Sequence, residues 1–259
     1  NPLLSDKVIK WFESRGISNN TLVKMKITEG KEWMPQTGKE ENTIQFNYFI
    51  NNELINIKYR DGKKNFKLVK GAEKIFYNID STIGHDYVVI VEGEIDALSL
   101  VEVGVKSVIS VPNGATISNN NLDYLDSCID YLDGKEKIII AVDQDEAGEN
   151  LKQELIRRLG AEACFTCDFG IYKDANDFLL HNSSAKLNDV IKNASPVPIE
   201  NVITLNDIDD ELQEFIHEGF KPGYQIGLDN FDNIFSTYTG QFITVTGVPS
   251  SGKSDFVDR

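Results

Sequence analysis

"KIIIAVDQDEAGENLKQELIRRLG", residues 137–160, decides the fold. It opens on an apolar, β-branched run with no polar alternation, the pattern of a strand covered on both faces. It closes on a charged segment that reads as a helix and stops at Gly160. Asp143, Asp145 and Glu146 stand at the junction.

The same pattern extends on both sides. "YVVIVEG" (87–93), "SVISVPN" (107–113) and "CFTCDF" (164–169) read as further buried strands. "EIDALSLVEVG" (94–104) and "SNNNLDYLDSCIDYLDG" (118–134) read as the helices between them. Continuous apolar strands alternating with helices predict a parallel sheet covered on both faces over residues 84–195.

Ligands of such sheets sit beyond the carboxyl ends of the strands. Two strands deliver acids there: the first Glu92, then Glu94; the third Asp143, with Asp145 two residues on. Asp96 falls four beyond Glu92, on the first turn of a helix. Each close pair of carboxylates costs about 4 kcal/mol at an effective dielectric near 20. Protonation of one carboxyl or a hard divalent cation offsets this cost. No histidine accompanies the acids, which favours magnesium or manganese over zinc. Asp143 and Asp145 face one site only if the strand has already turned, and Gly148 with the helix start makes room for that turn. Taken singly, Asp145 also reads as a plain helix N-cap and Asp143 as a loop acid.

Residues 1–83 have a different texture. "SDKVIKWFESRGIS" (5–18) carries Val8, Ile9 and Phe12 at helical spacing, with Ser5 or Asp6 as cap; Gly16 ends this helix and Ser18 caps a second. "TIQFNYFI" (43–50), "ELINIKYR" (53–60), "KNFKLVK" (64–70) and "KIFYNI" (74–79) predict a small antiparallel sheet, with Asp61-Gly62 at a hairpin turn.

The 259 residues have a net charge of −15, which argues against a general nucleic-acid binder. The distribution qualifies this. "KYRDGKKNFKLVKGAEK" (58–74) holds seven cations and two acids, +5 within a background of −20. This is either a solvated hairpin or a local contact for phosphate groups. Cys128, Cys164 and Cys167 are too few for a disulfide framework. Cys164 and Cys167 read as strand cysteines rather than half of a zinc site. Trp11 and Trp33 read as core or interface residues. Tyr124 and Tyr131 lie in an apolar-periodic helix rather than in nucleophile positions. "NDIDDELQEF" (206–215) reads as a solvated helix within a linker, residues 196–222. No apolar run approaches the roughly 20 residues of a membrane span.

Together the motifs resemble a known family. "VVIVEGEIDALSL" (88–100) followed by "IIIAVDQDEAG" (138–148) resembles the Toprim domain of primases, topoisomerases and related nucleases. "VPNGA" (111–115) and "KDANDFLL" (173–180) are similar to the phage-type primase-helicases and Twinkle. "SRGIS" (14–18) and "KYRDGKKNFK" (58–67) resemble their N-terminal primase subdomain. "GVPSSGKS" (247–254) falls where their helicase begins.

The resemblance implies an α/β fold: a Toprim sheet with an N-terminal α+β primase subdomain, then a linker helix leading into residues 223–259, the truncated start of a RecA-like helicase domain. It implies an RNA-primer polymerase on single-stranded DNA. Glu92, Asp143 and Asp145 would be the catalytic acids and, with Asp174, the ligands of magnesium or manganese. Lys58, Arg60, Lys64 and Lys67 would contact nucleotide phosphates or template. The implied partners are single-stranded DNA, ribonucleoside triphosphates and a replicative DNA polymerase, with a homo-oligomeric ring for the complete protein and no membrane. The implied setting is the cytoplasm of a bacterial or phage-infected cell, ahead of the mitochondrial matrix. A Toprim nuclease or a catalytically silent DNA-binding scaffold remains open. The cysteine-rich zinc module of many family primases does not occur within these residues.

Gly247, Gly252, Lys253 and Ser254 fit a phosphate loop after an apolar strand, "QFITVTG" (241–247), with ATP as cofactor of the complete helicase domain. In this chain the loop is expected to be inert, because the partner strands of an ATPase are not among these residues.

Overall fold

The structure is a computed structural model. It describes residues 4–114, 122–199, 208–219, 223–225 and 227–258. The chain divides into two compact units, Asn1–Ile199 and Glu200–Arg259.

The first unit begins with α1 (Asp6–Glu13) and α2 (Asn19–Lys24). Phe12, Ile17 and Leu22 are fully buried. Ser5 and Ser18 occupy the N-cap positions, yet neither side chain caps its own helix. Ser5 instead donates to Glu29, while Ser18 and Thr21 donate to Glu102. Carboxylates brought from elsewhere thus sit at both helix N-termini, where the helix dipole favours negative charge.

A four-stranded antiparallel sheet follows in the order β1 (Thr28–Met34), β2 (Lys39–Ile50), β3 (Glu53–Asp61) and β4 (Phe66–Leu68). The β2–β3 turn puts Asn51 and Asn52 at φ 49° and 65°. The Asp80 carboxylate accepts both of their backbone N–H groups. The β3–β4 turn is organised by Asp61, whose carboxylate accepts from the Lys63 and Asn65 backbones.

The second sheet has the order β6-β5-β7-β8-β9. Its elements run β5 (Tyr87–Val91), α3 (Glu94–Glu102), β6 (Val108–Ser110), α4 (Asp123–Cys128), β7 (Lys137–Ile140), α5 (Glu146–Leu159), β8 (Cys164–Thr166), α6 (Ala175–His181), α7 (Ser184–Lys192) and β9 (Ser195–Pro196). The first four strands are parallel, and β9 is antiparallel to β8. Val88–Val91 and Ile138–Ile140 form the centre of the core. From β5 the chain moves to β6 on one side and later to β7 on the other. The crevice between the ends of β5 and β7 is therefore a topological switch point, the usual ligand position in such sheets.

The mixed α/β architecture is the one expected, with four local differences. Residues 28–34, "TEGKEWM", form an edge strand that polar composition concealed. Residues 74–79 form no strand of the small sheet. Instead Tyr77 bridges Ser110 at the end of β6, with N–O distances of 2.9 and 3.2 Å in the two directions. Ile75, Phe76, Tyr77 and Ile79 are buried there, so this segment ties the two sheets together. The parallel sheet gains β9, which straddles the expected boundary between residues 84–195 and the linker at 196. Trp33 is exposed, not core. The start of the helix expected from residue 118, at 118–121, lies outside the described residues.

In the second unit, α8 (Asp209–Glu218) is a solvated helix, as its composition suggested. Two short helices, α9 (Asp229–Asp232) and α10 (Lys253–Val257), and a bridge between Tyr224 and Thr237 follow. Residues 241–247 are not a strand, and no RecA-like sheet forms among the described residues. An extended apolar segment needs ladder partners, and none is described beside it. No helix among the described residues is long and apolar enough to cross a membrane.

Candidate active site: an acidic cluster facing a basic wall

Two turns place the acids. After β7 the chain bends and enters α5, with Asp145 as its N-cap accepting the Gly148 N–H at 3.0 Å. The bend is tight: a Cβ on Gly148 would lie 2.0 Å from the Asp143 carbonyl oxygen. After β5, Gly93 leads into α3, and a Cβ there would lie 2.9 Å from an Asp96 carboxylate oxygen. Both glycines leave space that aspartates use. A third turn caps α6, where Asp174 accepts the Asp177 N–H at 2.7 Å.

These turns bring carboxylate oxygens of Asp96, Asp143 and Asp174 within 4.8 Å of one another. Asp96 is buried and the other two are half-buried. Burial, followed by the charges of Asp174 and Asp143, holds the Asp96 carboxyl well above the usual carboxylate range. Burial likewise raises Asp143, even though Lys173 pulls the other way. The Lys173 ammonium reaches Asp143 at 2.9 Å and Asp145 at 3.1 Å, and the bond to Asp143 raises its own pKa. Asp145, bonded to the Gly148 N–H, is lowered.

The expected acid set is therefore rearranged. Asp143 and Asp174 join the three-carboxylate cluster, and Asp96 completes it. Asp145 is tied to the cluster through Lys173 and serves as a cap. Glu92 lines the same cleft beside Gly114, where a Cβ would lie 3.5 Å from its carboxylate.

The cleft has a volume of about 630 Å³. One wall is acidic; the other carries Arg15, Lys58, Arg60, Lys64 and Lys67. These cations are not equivalent. Lys58 is buried and paired with Glu94 at 2.7 Å. Lys67 pairs with Glu32 and donates to the Trp33 carbonyl. Arg60 lies on the Trp11 ring at 4.4 Å, and Arg15 on the same ring at 4.7 Å. Burial, then repulsion from Arg15, lowers the Arg60 pKa. Lys64 sits in the hairpin turn at φ 64°.

One side chain knits the walls together. Asn176 donates its backbone N–H to Asp96 at 3.0 Å, while its amide exchanges bonds with Arg15, accepting from the guanidinium and donating to the carbonyl, both at 2.9 Å. Asn176, Arg15, Lys173 and Glu94 all lay inside stretches quoted for their resemblance. Of these only Glu94 stands out in the sequence, as an acid at a strand end; the use of the other three depends on folded contacts.

All three carboxylates are oxygen donors without histidine or thiolate, which fits a hard divalent cation. Among the described residues the phosphate-loop signature forms no such site. Lys253 donates to its own loop carbonyls, Gly247 at 3.1 Å and Val248 at 2.9 Å. Gly247 and Gly252 flank this curl, and Ser254 lies in α10.

Residues 89–179 match the Toprim-like family. Those residues carry a Toprim-like domain, and the chain as a whole is similar to Twinkle and phage primase-helicase proteins. The Arabidopsis thaliana protein named Twinkle homolog, chloroplastic/mitochondrial, is 33% identical over 98% of this chain and 38% of its own length. The primase homolog protein of the same plant is 33% identical over 76% of this chain and 62% of its own. A solved structure shows bacteriophage T7 lagging-strand DNA polymerase interacting with primase domains bound to an RNA/DNA hybrid and dTTP. It matches at 26% identity, covering 71% of this chain and 91% of that chain, with a TM-score of 0.59. The chain thus spans under two thirds of either curated relative.

Proposed function

We propose that this chain contains the primer-synthesising part of a replicative primase-helicase. It would join ribonucleotides on a single-stranded DNA template by metal-dependent nucleotidyl transfer. The observation that carries this reading is the cleft itself: three converging carboxylates opposite a wall of five cations. Asp96, Asp143 and Asp174 would hold magnesium or manganese, with Glu92 and Asp145 beside them. The bound ion would supply charge neutralisation on the triphosphate and a lowered pKa of the attacking 3′-hydroxyl. The protein's own part is positioning and electrostatics, as phosphoryl-transfer chemistry requires. Lys64, Lys67, Arg60 and Arg15 would bind the triphosphate or template phosphates. The Asp145 cap and Asn176 would hold the acids in place.

Residues 1–83 would form the primase subdomain, 84–195 the Toprim domain, 196–222 the linker and 223–259 the beginning of the helicase. A replicative polymerase would take up the primer, and the complete protein would assemble as a ring. The basic wall favours this reading over a nuclease, which needs the acids alone.

The test is primer synthesis on single-stranded DNA with labelled ribonucleotides and magnesium. Short RNA products support the proposal. Cleavage of the template would replace it with the nuclease reading. DNA binding without either reaction would leave a scaffold.

A further inference from the structure

Lys58 belongs to the basic wall by sequence, yet its side chain is only 10% exposed and its charge is matched by Glu94. Glu94 is the first residue of α3, and its own side chain is 4% exposed. One carboxylate oxygen accepts both the Lys58 ammonium and the Tyr48 hydroxyl. Tyr48 is fully buried on β2, and burial together with the Glu94 charge raises its pKa well above the ordinary value. The three residues lie 36 and 46 positions apart and join β2, β3 and α3. The helix N-terminus favours a negative charge at Glu94. The Phe66 ring closes the other side, 5.3 Å from the ammonium.

A buried ion pair is a poor way to add stability, because desolvation offsets the attraction. Its consequence here is geometric. Lys58 and Glu94 both line the cleft with the acid cluster. An ammonium has three N–H donors, and Glu94 takes one.

We propose that Glu94 is a positioning residue: it holds the charged Lys58 ammonium in one place on the cleft wall, so that its remaining donors meet the phosphates of a bound nucleoside triphosphate. This rests on the primase reading for the substrate, but the clasp is testable without it. Glu94 acts through Lys58 and lies outside the three-carboxylate cluster.

The experiment is a double-mutant cycle on the full chain with Glu94→Gln, Lys58→Gln and both together. Three readouts are taken: manganese affinity by calorimetry, triphosphate affinity by calorimetry, and primer synthesis. Glu94→Gln is expected to weaken triphosphate binding and lower kcat/KM by about 10- to 100-fold, the scale of a small misplacement. Manganese affinity is expected to stay near wild type, short of the roughly 10- to 100-fold loss that follows removal of an outer-shell partner of a metal. In the Lys58→Gln background, Glu94→Gln should have no further effect, the non-additivity of residues acting as a unit. Multiplying effects would overturn the proposal, as would lost manganese binding, which would make Glu94 a metal ligand. Where Glu94→Gln unfolds, Glu94→Asp keeps the charge and shortens the reach; unchanged triphosphate affinity in that variant also overturns the clasp. If wild type binds triphosphate but makes no primers, the primase reading fails while the cycle on binding still decides the clasp. Wild type that binds no triphosphate overturns both.

Discussion

Two stretches of this chain pair glycine with catalytic residue types at the end of an apolar run, and they fold differently. At residues 137–148 the run becomes β7, central in a five-stranded sheet, and its acids emerge beside those that follow β5. At residues 241–254 the run forms no strand, and the phosphate-loop signature curls onto its own lysine. The difference lies behind the motif rather than in it. β7 is hydrogen-bonded on both sides, and α5 packs so closely that only glycine fits at residue 148. The second stretch has a five-residue helix behind it, marginal without tertiary support. A motif becomes a site when its backbone is held by neighbours.

The largest effect should come from removing the acids themselves. Asp143→Asn with Asp145→Asn is expected to leave the fold intact and abolish primer synthesis. Manganese affinity, read by calorimetry, should fall by more than about 100-fold, beyond the loss usual for outer-shell partners. Unchanged affinity would place the metal elsewhere and remove the contrast between the two stretches. Next comes the support. Gly148→Ala sets a Cβ against the Asp143 carbonyl and is expected to cost about 1–3 kcal/mol, the scale of overpacking, with weaker metal binding alongside. Thermal unfolding measures the first and calorimetry the second. An alanine variant with wild-type values for both would show that the bend has slack.

A third substitution sharpens the electrostatics. Lys173 places an ammonium on two carboxylates that a divalent cation would also use. Lys173→Met is therefore expected to tighten manganese binding several-fold. The gain is limited, because the lysine is about half exposed and solvent screens it. Weaker binding in this variant would make Lys173 a support for the acids rather than a competitor of the cation.

Much of this comparison was legible in the sequence. The apolar runs at 88–91 and 138–142, the first followed by Glu92-Gly93 and the second by Asp143 and Asp145, point to the parallel sheet and the position of its ligand crevice. Asp61-Gly62 gave the hairpin. The rest depends on contacts that leave no periodic trace. The Asn176–Arg15 bonds join residues 161 apart, and the Asn176–Asp96 bond joins residues 80 apart. No spacing rule connects them. The strand at 28–34 escaped because an edge strand with one solvated face needs little apolar content. Residues 74–79 were misassigned because β-branched and aromatic composition reports burial, not the identity of the partner strand. Lys58 looks like every other cation of the basic run, because its burial and its pairing with Glu94 leave no trace in the sequence until the partner carboxylate is placed.

The smallest effect should come from the phosphate loop, and it tests the comparison from the other side. Lys253 donates to two carbonyls of its own loop, a contact that a nucleotide's phosphates would have to replace. The loop residues from 247 to 254 are mostly exposed, with Lys253 itself half-buried. A phosphate loop draws much of its affinity from the helix N-terminus behind it, and α10 offers little more than one turn. In this 259-residue chain, Lys253→Ala is therefore expected to leave thermal stability within about 0.5 kcal/mol, as for an ordinary surface change. Manganese affinity and primer synthesis should match wild type, with no ATP hydrolysis above background in either protein. Wild-type ATPase activity that disappears in the variant would show that a second copy completes the nucleotide site. Loss of primer synthesis would show something different: that the loop in the second unit and the acids in the first act together, so that backing by local neighbours is not the feature that separates the two stretches.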